Sequence, residues 1–264
     1  MAAVMSLALV APAAAETAAA RTGKVVRIKG DVRYSTGKKI WEPIKVGMIL
    51  KSGSIVQTAK GAFVDIVVNE DASAGAIALK VPTPGAAASP AGAGAGATPS
   101  ADQDVIRVLD DSYLVFDNMS AKGDAKSRVT ETLLDLKKGS IFGSVKKQTS
   151  ASRFEVKIPN GVAGIRGTIF LISASGSVSC LTGSVVAAFT SSTGEVATQV
   201  VGGGNELNTN TGEMSPMSAS AQAAIDPIVR DTNFQPSKDK PPKDKGPGHD
   251  NGGGNDGYVS KHKP

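Results

Sequence analysis

From Gly23 onward, apolar and polar residues alternate with a period of two, the pattern of strands that bury one face. Val26 and Ile28, then Val32 and Tyr34, alternate with Arg27, Lys29, Asp31 and Arg33, which places these charged side chains on the opposite, wet face. Gly30-Asp31 and Thr36-Gly37 punctuate the run, and Trp41-Glu42-Pro43-Ile44 leads through Gly47 and Gly53 to strands at 55–58 and 63–68. The same texture predicts strands at 105–109, 113–116, 133–136, 141–145, 154–158, 165–172, 178–181, 185–189 and 196–201, with a shorter segment near Leu207. Short strands separated by turn residues predict an all-β fold, a short-stranded sandwich or a solenoid-like β domain, spanning 23–210. No repeat of 20 to 50 residues emerges.

Two stretches break the pattern. Residues 81–102 set Pro82, Pro84, Pro90 and Pro99 among Ala and Gly, with almost nothing to bury, so chain entropy predicts a disordered internal insertion. Because loop closure costs only a logarithm of length, one β domain can carry it. After the strands, 217–230 is the one fair helix, capped by Ser218 or Ser220, with Pro227 near its end. Residues 235–264 read as a disordered Lys/Asp/Gly/Pro tail.

Composition adds little to this and excludes more. Of the 264 residues 41% are hydrophobic but only 4% aromatic, which suits one ordered β body with unstructured segments. The net charge of +5 comes from 29 Lys and Arg against 24 Asp and Glu, and much of the excess lies in the tail, interleaved with Asp239, Asp244, Asp250 and Asp256. Such a mixture is expected to be a solvated coil, so no specific nucleic-acid partner is implied. The single Cys180 excludes an internal disulfide and, in the alternation Val178-Ser179-Cys180-Leu181, reads as a small buried hydrophobe.

At the start, Val4, Met5, Leu7, Leu9 and Val10 form a short apolar run ending at Ala13-Ala14-Ala15-Glu16, a small-x-small cleavage pattern. Residues 1–15 are therefore expected to be a signal peptide, truncated at its start because no Lys or Arg precedes the run. The run is shorter than the roughly 20 apolar residues of a membrane span, and no later segment reaches that length. A periplasmic or extracellular location is expected.

The most distinctive stretch runs from Phe154 to Phe170. Phe154, Val156 and Ile158 alternate toward one face, Pro159-Asn160-Gly161 supplies a turn, and Gly164 and Gly167 flank Ile165-Arg166 where close backbone approach or positive φ is expected. Arg166 must find carbonyls, a carboxylate or water for its guanidinium. The glycine spacing Gly161-x-x-Gly164-x-x-Gly167 lacks both the dinucleotide and Walker patterns, so tight β geometry accounts for it better than phosphate binding.

At these residues the chain resembles the FecR domain family. The resemblance rests on Pro159, Gly161, Gly164, Arg166, Gly167, Thr168 and Phe170, with Leu181-Thr182-Gly183-Ser184-Val185 after them and Leu136-Lys137-Lys138-Gly139-Ser140-Ile141 before. Gly30-Asp31-Val32, Trp41-Glu42-Pro43 and Gly47-Met48-Ile49-Leu50 extend it toward the start. The resemblance implies a domain outside the cytoplasmic membrane, related to proteins that relay a signal from an outer-membrane receptor to a sigma factor. This chain is expected to be a signal-peptide-bearing FecR-domain protein without the anti-sigma and membrane segment. The family brings no catalytic residues, so the motif residues are expected to be structural.

Catalytic groups are sparse. His249 and His262 both sit in the tail, which excludes a histidine triad or metal cluster in the body, and Asp110, Asp111 and Asp117 read as solvated turn residues. No cofactor and no metal are expected. The sequence thus predicts a non-catalytic cell-envelope module that binds a protein or a glycan, its binding residues undetermined. The alternatives are the periplasmic sensor of a sigma-factor relay and a polysaccharide-active enzyme.

Overall fold

The structure, a computed structural model, describes residues 19–37, 40–69, 95–96, 103–123 and 127–232. The expected signal peptide and tail lie outside the described residues, as does the insertion apart from 95–96.

The chain opens with β1 (Ala19–Ala20), β2 (Thr22–Lys29), β3 (Val32–Ser35), β4 (Glu42–Pro43) and β5 (Ile49–Leu50). There follow β6 (Ile55–Thr58), β7 (Phe63–Asn69), β8 (Ala95–Gly96), β9 (Asp104–Val108) and β10 (Tyr113–Lys122). The middle continues through β11 (Val129–Lys138), β12 (Ser140–Val145), β13 (Arg153–Ile158), β14 (Gly161–Ile165) and β15 (Thr168–Ser173). The last are β16 (Ser177–Thr182), β17 (Ser184–Thr190), β18 (Val196–Gly202), β19 (Asn205–Asn208), β20 (Glu213–Pro216) and α1 (Ala219–Thr232).

These strands form two sheets. The front sheet runs β18-β17-β14-β13-β11-β10-β6-β3-β4, with β1 on β10; the back sheet runs β20-β19-β16-β15-β12-β9-β7-β2-β5, with β8 on β2. Both orders follow the chain almost monotonically, so the polypeptide advances sideways while passing between the sheets. The all-β sandwich expected from the sequence is the fold, and its sideways advance is the solenoid-like element of it. Because β12 lies in the back sheet, β11 and β13 meet in parallel on the front, Leu134 beside Val156.

The main core fills the space between the sheets, with Phe116, Leu134, Phe154, Val156, Ile158, Phe170 and Cys180 all buried there. A second cluster lies on the outer face of the back sheet. There Met217, Ala221, Ile225 and Ile228 of α1 and its approach cover Val26, Val67, Val105, Phe142 and Ile169. Burial on both faces explains why β7 reads as a nearly continuous apolar run, whereas β17 at the front alternates buried and exposed. Ser218 caps the helix, its Oγ accepting from the Ala221 backbone N–H at 3.1 Å, and the helix continues through Pro227 to Thr232, two residues past the expected end.

Two expectations need correction. The strand expected at 165–172 is two strands, β14 in the front sheet and β15 in the back, separated by a corner at Arg166-Gly167. The expected shared face of Val26 and Ile28 is also wrong. A bulge between Val25 and Arg27 shifts the phase of β2, so Val26 joins the helix-side cluster while Ile28 packs on the main core.

Candidate functional site

The Phe154–Phe170 stretch builds a hairpin and then a corner. Pro159 and Asn160 form the turn between β13 and β14, with Ile158 opposite Gly161. A Cβ on Gly161 would stand 2.5 Å from the Ala188 carbonyl oxygen, so this strand can approach β17 only with glycine. Gly164 is different: its nearest neighbour would be the Val186 oxygen at 3.6 Å, an ordinary contact, and its φ is not positive. The close approach or positive φ expected there is absent at Gly164 and present at Gly167, whose φ is 68°.

Each remaining motif side chain holds part of the corner. Arg166 is exposed and its Nε donates to the Gln148 carbonyl at 3.2 Å, a carbonyl being one of the three partners open to it. Thr168 is buried and its Oγ1 donates to the Ser184 carbonyl at 2.9 Å, tying the start of β15 to the start of β17. Phe170 is fully buried in the main core. The seven motif residues are thus brought together along one hairpin and corner.

Cys180, Asp110 and Asp111 serve structure. Cys180 is fully buried, and desolvation pushes its thiol up to about 11, far from a reactive thiolate. Asp110 and Asp111 occupy a turn, where Asp111 accepts from Lys138 Nζ at 2.7 Å. Among the described residues no group of three or more His, Cys, Asp and Glu could hold a metal ion, and the histidines lie outside them.

Sequence reasoning missed a buried ionic cluster. Arg27, Asp65 and Arg107 stand side by side on β2, β7 and β9. Asp65 accepts from Arg27 Nε at 2.7 Å and from Arg107 Nε at 2.6 Å and Nη2 at 2.8 Å, and both guanidinium groups lie over the Phe63 ring. Arg27 is 3% exposed, not on a wet face as its alternation implied. Charge-assisted and bidentate bonds to one carboxylate make such burial tolerable. The lone Asp65 within Phe-Val-Asp-Ile-Val-Val was the available signal.

A cavity of about 480 Å³ opens beside β3, β4 and β6, and its walls combine an aromatic ring with several polar side chains. Its lining includes Asp31, Arg33, Trp41, Glu42, Pro43 and Gln57. The Arg33 guanidinium carbon stacks 4.7 Å from the Trp41 ring centre, and Arg33 Nε and Nη2 donate to Gln57 Oε1 at 3.0 and 2.8 Å. Trp41 meets Tyr113 edge-on at 6.0 Å. Tyr34 donates to Glu42 at 3.0 Å, and that hydrogen bond, with burial and the nearby carboxylate charge, raises the tyrosine pKa. Trp41-Glu42-Pro43 was part of the resemblance, but only the fold gathers Arg33 and Gln57 onto it.

Comparison with known proteins turns on the second half of this sandwich. Residues 94–186 match the FecR protein family. The matched segment therefore holds β8 to β16, the beginning of β17 and the whole Arg166-Gly167-Thr168 corner. The cavity and the earlier elements of the resemblance precede it. Two crystal structures of a proposed anti-sigma factor from Parabacteroides distasonis ATCC 8503 are similar at 17% and 16% identity, with TM-scores of 0.34 and 0.35. The matches cover 47% and 48% of this chain and 55% and 57% of those chains, so the likeness spans little more than half their length. No curated protein matches the chain. No helix among the described residues is long and apolar enough to cross a membrane.

Proposed function

We propose that this chain is a FecR-type module of the cell envelope that works by binding rather than by catalysis, exported to the periplasm or beyond. The observation that carries the reading is the FecR match over 94–186, which falls on a continuous two-sheet body. The chemistry of the described residues supports it: the thiol is buried, the carboxylates of the turns are solvated or ion-paired, and the motif residues brace the backbone. On this reading the motif is structural, and ligand contact belongs to the surface.

A second reading, a sensor relaying an external signal to a sigma factor, is favoured by the same match, because that relay is what a FecR resemblance implies. Fractionation of cells producing the tagged chain, combined with transcript profiling of a deletion strain, tests both. An envelope-located protein whose loss leaves transcription unchanged is the result expected of a binding module. Loss of one coherent set of promoters served by a single alternative sigma factor would instead establish the relay. A chain retained in the cytoplasm would overturn the envelope reading.

A further inference from the structure

We infer that the cavity at Trp41 is a binding site for a neutral oligosaccharide. The inference rests on the binding reading above and supplies its ligand class and its site.

The walls of the cavity divide into two chemistries. Trp41, Pro43, Val32 and Ala59 contribute apolar surface, while Asp31, Arg33, Glu42 and Gln57 contribute planar polar groups. The polar groups are partly fixed before any ligand arrives. Arg33 is pinned between the Trp41 ring and Gln57 Oε1, and Glu42 is held through one oxygen by Tyr34. Their other atoms remain available: among the described residues Arg33 Nη1, Gln57 Nε2, Glu42 Oε1 and the Asp31 carboxylate make no hydrogen bond. Fixed rotamers lower the ordering cost of binding.

That leaves two donors and two acceptor groups around one apolar-walled recess. A sugar hydroxyl both donates and accepts, so a vicinal pair can engage a guanidinium or amide N–H and a carboxylate together. The pyranose C–H surface suits the aromatic and proline walls. Charged ligands fit less well. A phosphate or carboxylate would meet Asp31 and Glu42, and a cation would meet the Arg33 guanidinium. A recess of this size holds one or two sugar rings, within the range of small-ligand sites.

Trp41 is the only tryptophan, so its fluorescence reports this cavity and nothing else. The test is titration of the purified full chain with neutral β-linked glucose and N-acetylglucosamine oligomers, alongside polygalacturonate and chitosan oligomers as anionic and cationic probes. A saturable change in Trp41 emission with a neutral oligomer, below about 10 mM, is expected. Asp31→Asn and Gln57→Leu, both at positions outside the core, should weaken it about tenfold each while leaving the melting curve intact. No response to any neutral oligomer, or a response only to charged ones, overturns the inference. Emission that responds identically in both variants also overturns it, since the polar walls would then be irrelevant. An exported chain whose Trp41 ignores every neutral oligomer removes this inference alone. A saccharide-binding chain found in the cytoplasm removes the envelope reading alone.

Discussion

Phe170 stands directly across from Gly143 in the β12–β15 ladder, and its ring fills the space that a Cβ on Gly143 would need. The glycine is therefore a packing residue: it lets the largest side chain of the FecR motif lie flat in the core. Gly143→Ala is expected to destabilise the fold by about 1–3 kcal/mol, the usual cost of overpacking a dense interior. Urea denaturation measures it. Combining it with Phe170→Leu should recover part of the loss, and two strictly additive losses would show that the two residues are not in contention.

The corner makes a second, opposing pair of predictions. Gly167→Ala forces a Cβ into a φ of 68° and to within 3.1 Å of the Lys147 backbone, which should cost about 1–3 kcal/mol. Arg166→Ala removes one solvent-exposed hydrogen bond to the Gln148 carbonyl and should cost less than about 1 kcal/mol. Thermal melts of both variants decide the matter. If the arginine proves the costlier loss, it does more in the fold than make this one exposed hydrogen bond.

Glu206 couples the helix to the sheet, and its stabilisation should depend on pH. It accepts from Ser177 Oγ at 2.5 Å and from the Ser218 backbone N–H, at the N-terminus of α1, at 3.1 Å. Burial alone would raise its pKa, but the hydrogen bonds from Ser177 and Ser218 hold it below the ordinary value. A depressed carboxylate stabilises the fold fully above its unfolded pKa and loses that contribution as pH falls through the folded one. Hydrogen exchange should therefore find α1 protected at neutral pH and loosened in acid. Glu206→Gln should destabilise by about 1 kcal/mol at pH 7 and flatten this acid limb, given what a charge at a helix N-terminus contributes. An unchanged acid limb would assign the transition to another group.

Cys180 should behave as a core residue. With no exposed surface and a thiol pushed up to about 11, it is expected to resist a thiol-specific chromogenic reagent at pH 8 and to react at once in denaturant. Rapid labelling of the native chain would mean that β16 opens easily.

Much of the fold was legible because burial on one face leaves a period-two trace. Phe154, Val156 and Ile158 were read toward one face, and all three lie in the main core. Ser218 was one of two caps the sequence offered, and the Ala221 N–H selects it over Ser220. The misreadings share one cause. Alternation reports that two faces differ, not which face is wet or where the phase slips. Arg27 was misplaced because a bulge turns β2 by one residue and because the back sheet is buried on its outer side as well. The single strand expected at 165–172 failed because a corner of two residues leaves the apolar count almost unchanged while moving the chain to the other sheet.

The sequence by itself determined the all-β class, the presence of the helix, the burial of Cys180 and the FecR resemblance. Each follows from local pattern: side-chain periodicity, turn chemistry, or residues adjacent in the chain. Only the tertiary structure decided that the strands form two laterally advancing sheets, that Asp65 bridges Arg27 and Arg107, and that Arg33, Trp41 and Gln57 meet at one cavity. Those features depend on registers between strands far apart in sequence. A register is set by which faces pack and where a bulge or corner shifts them, and no local pattern carries that information.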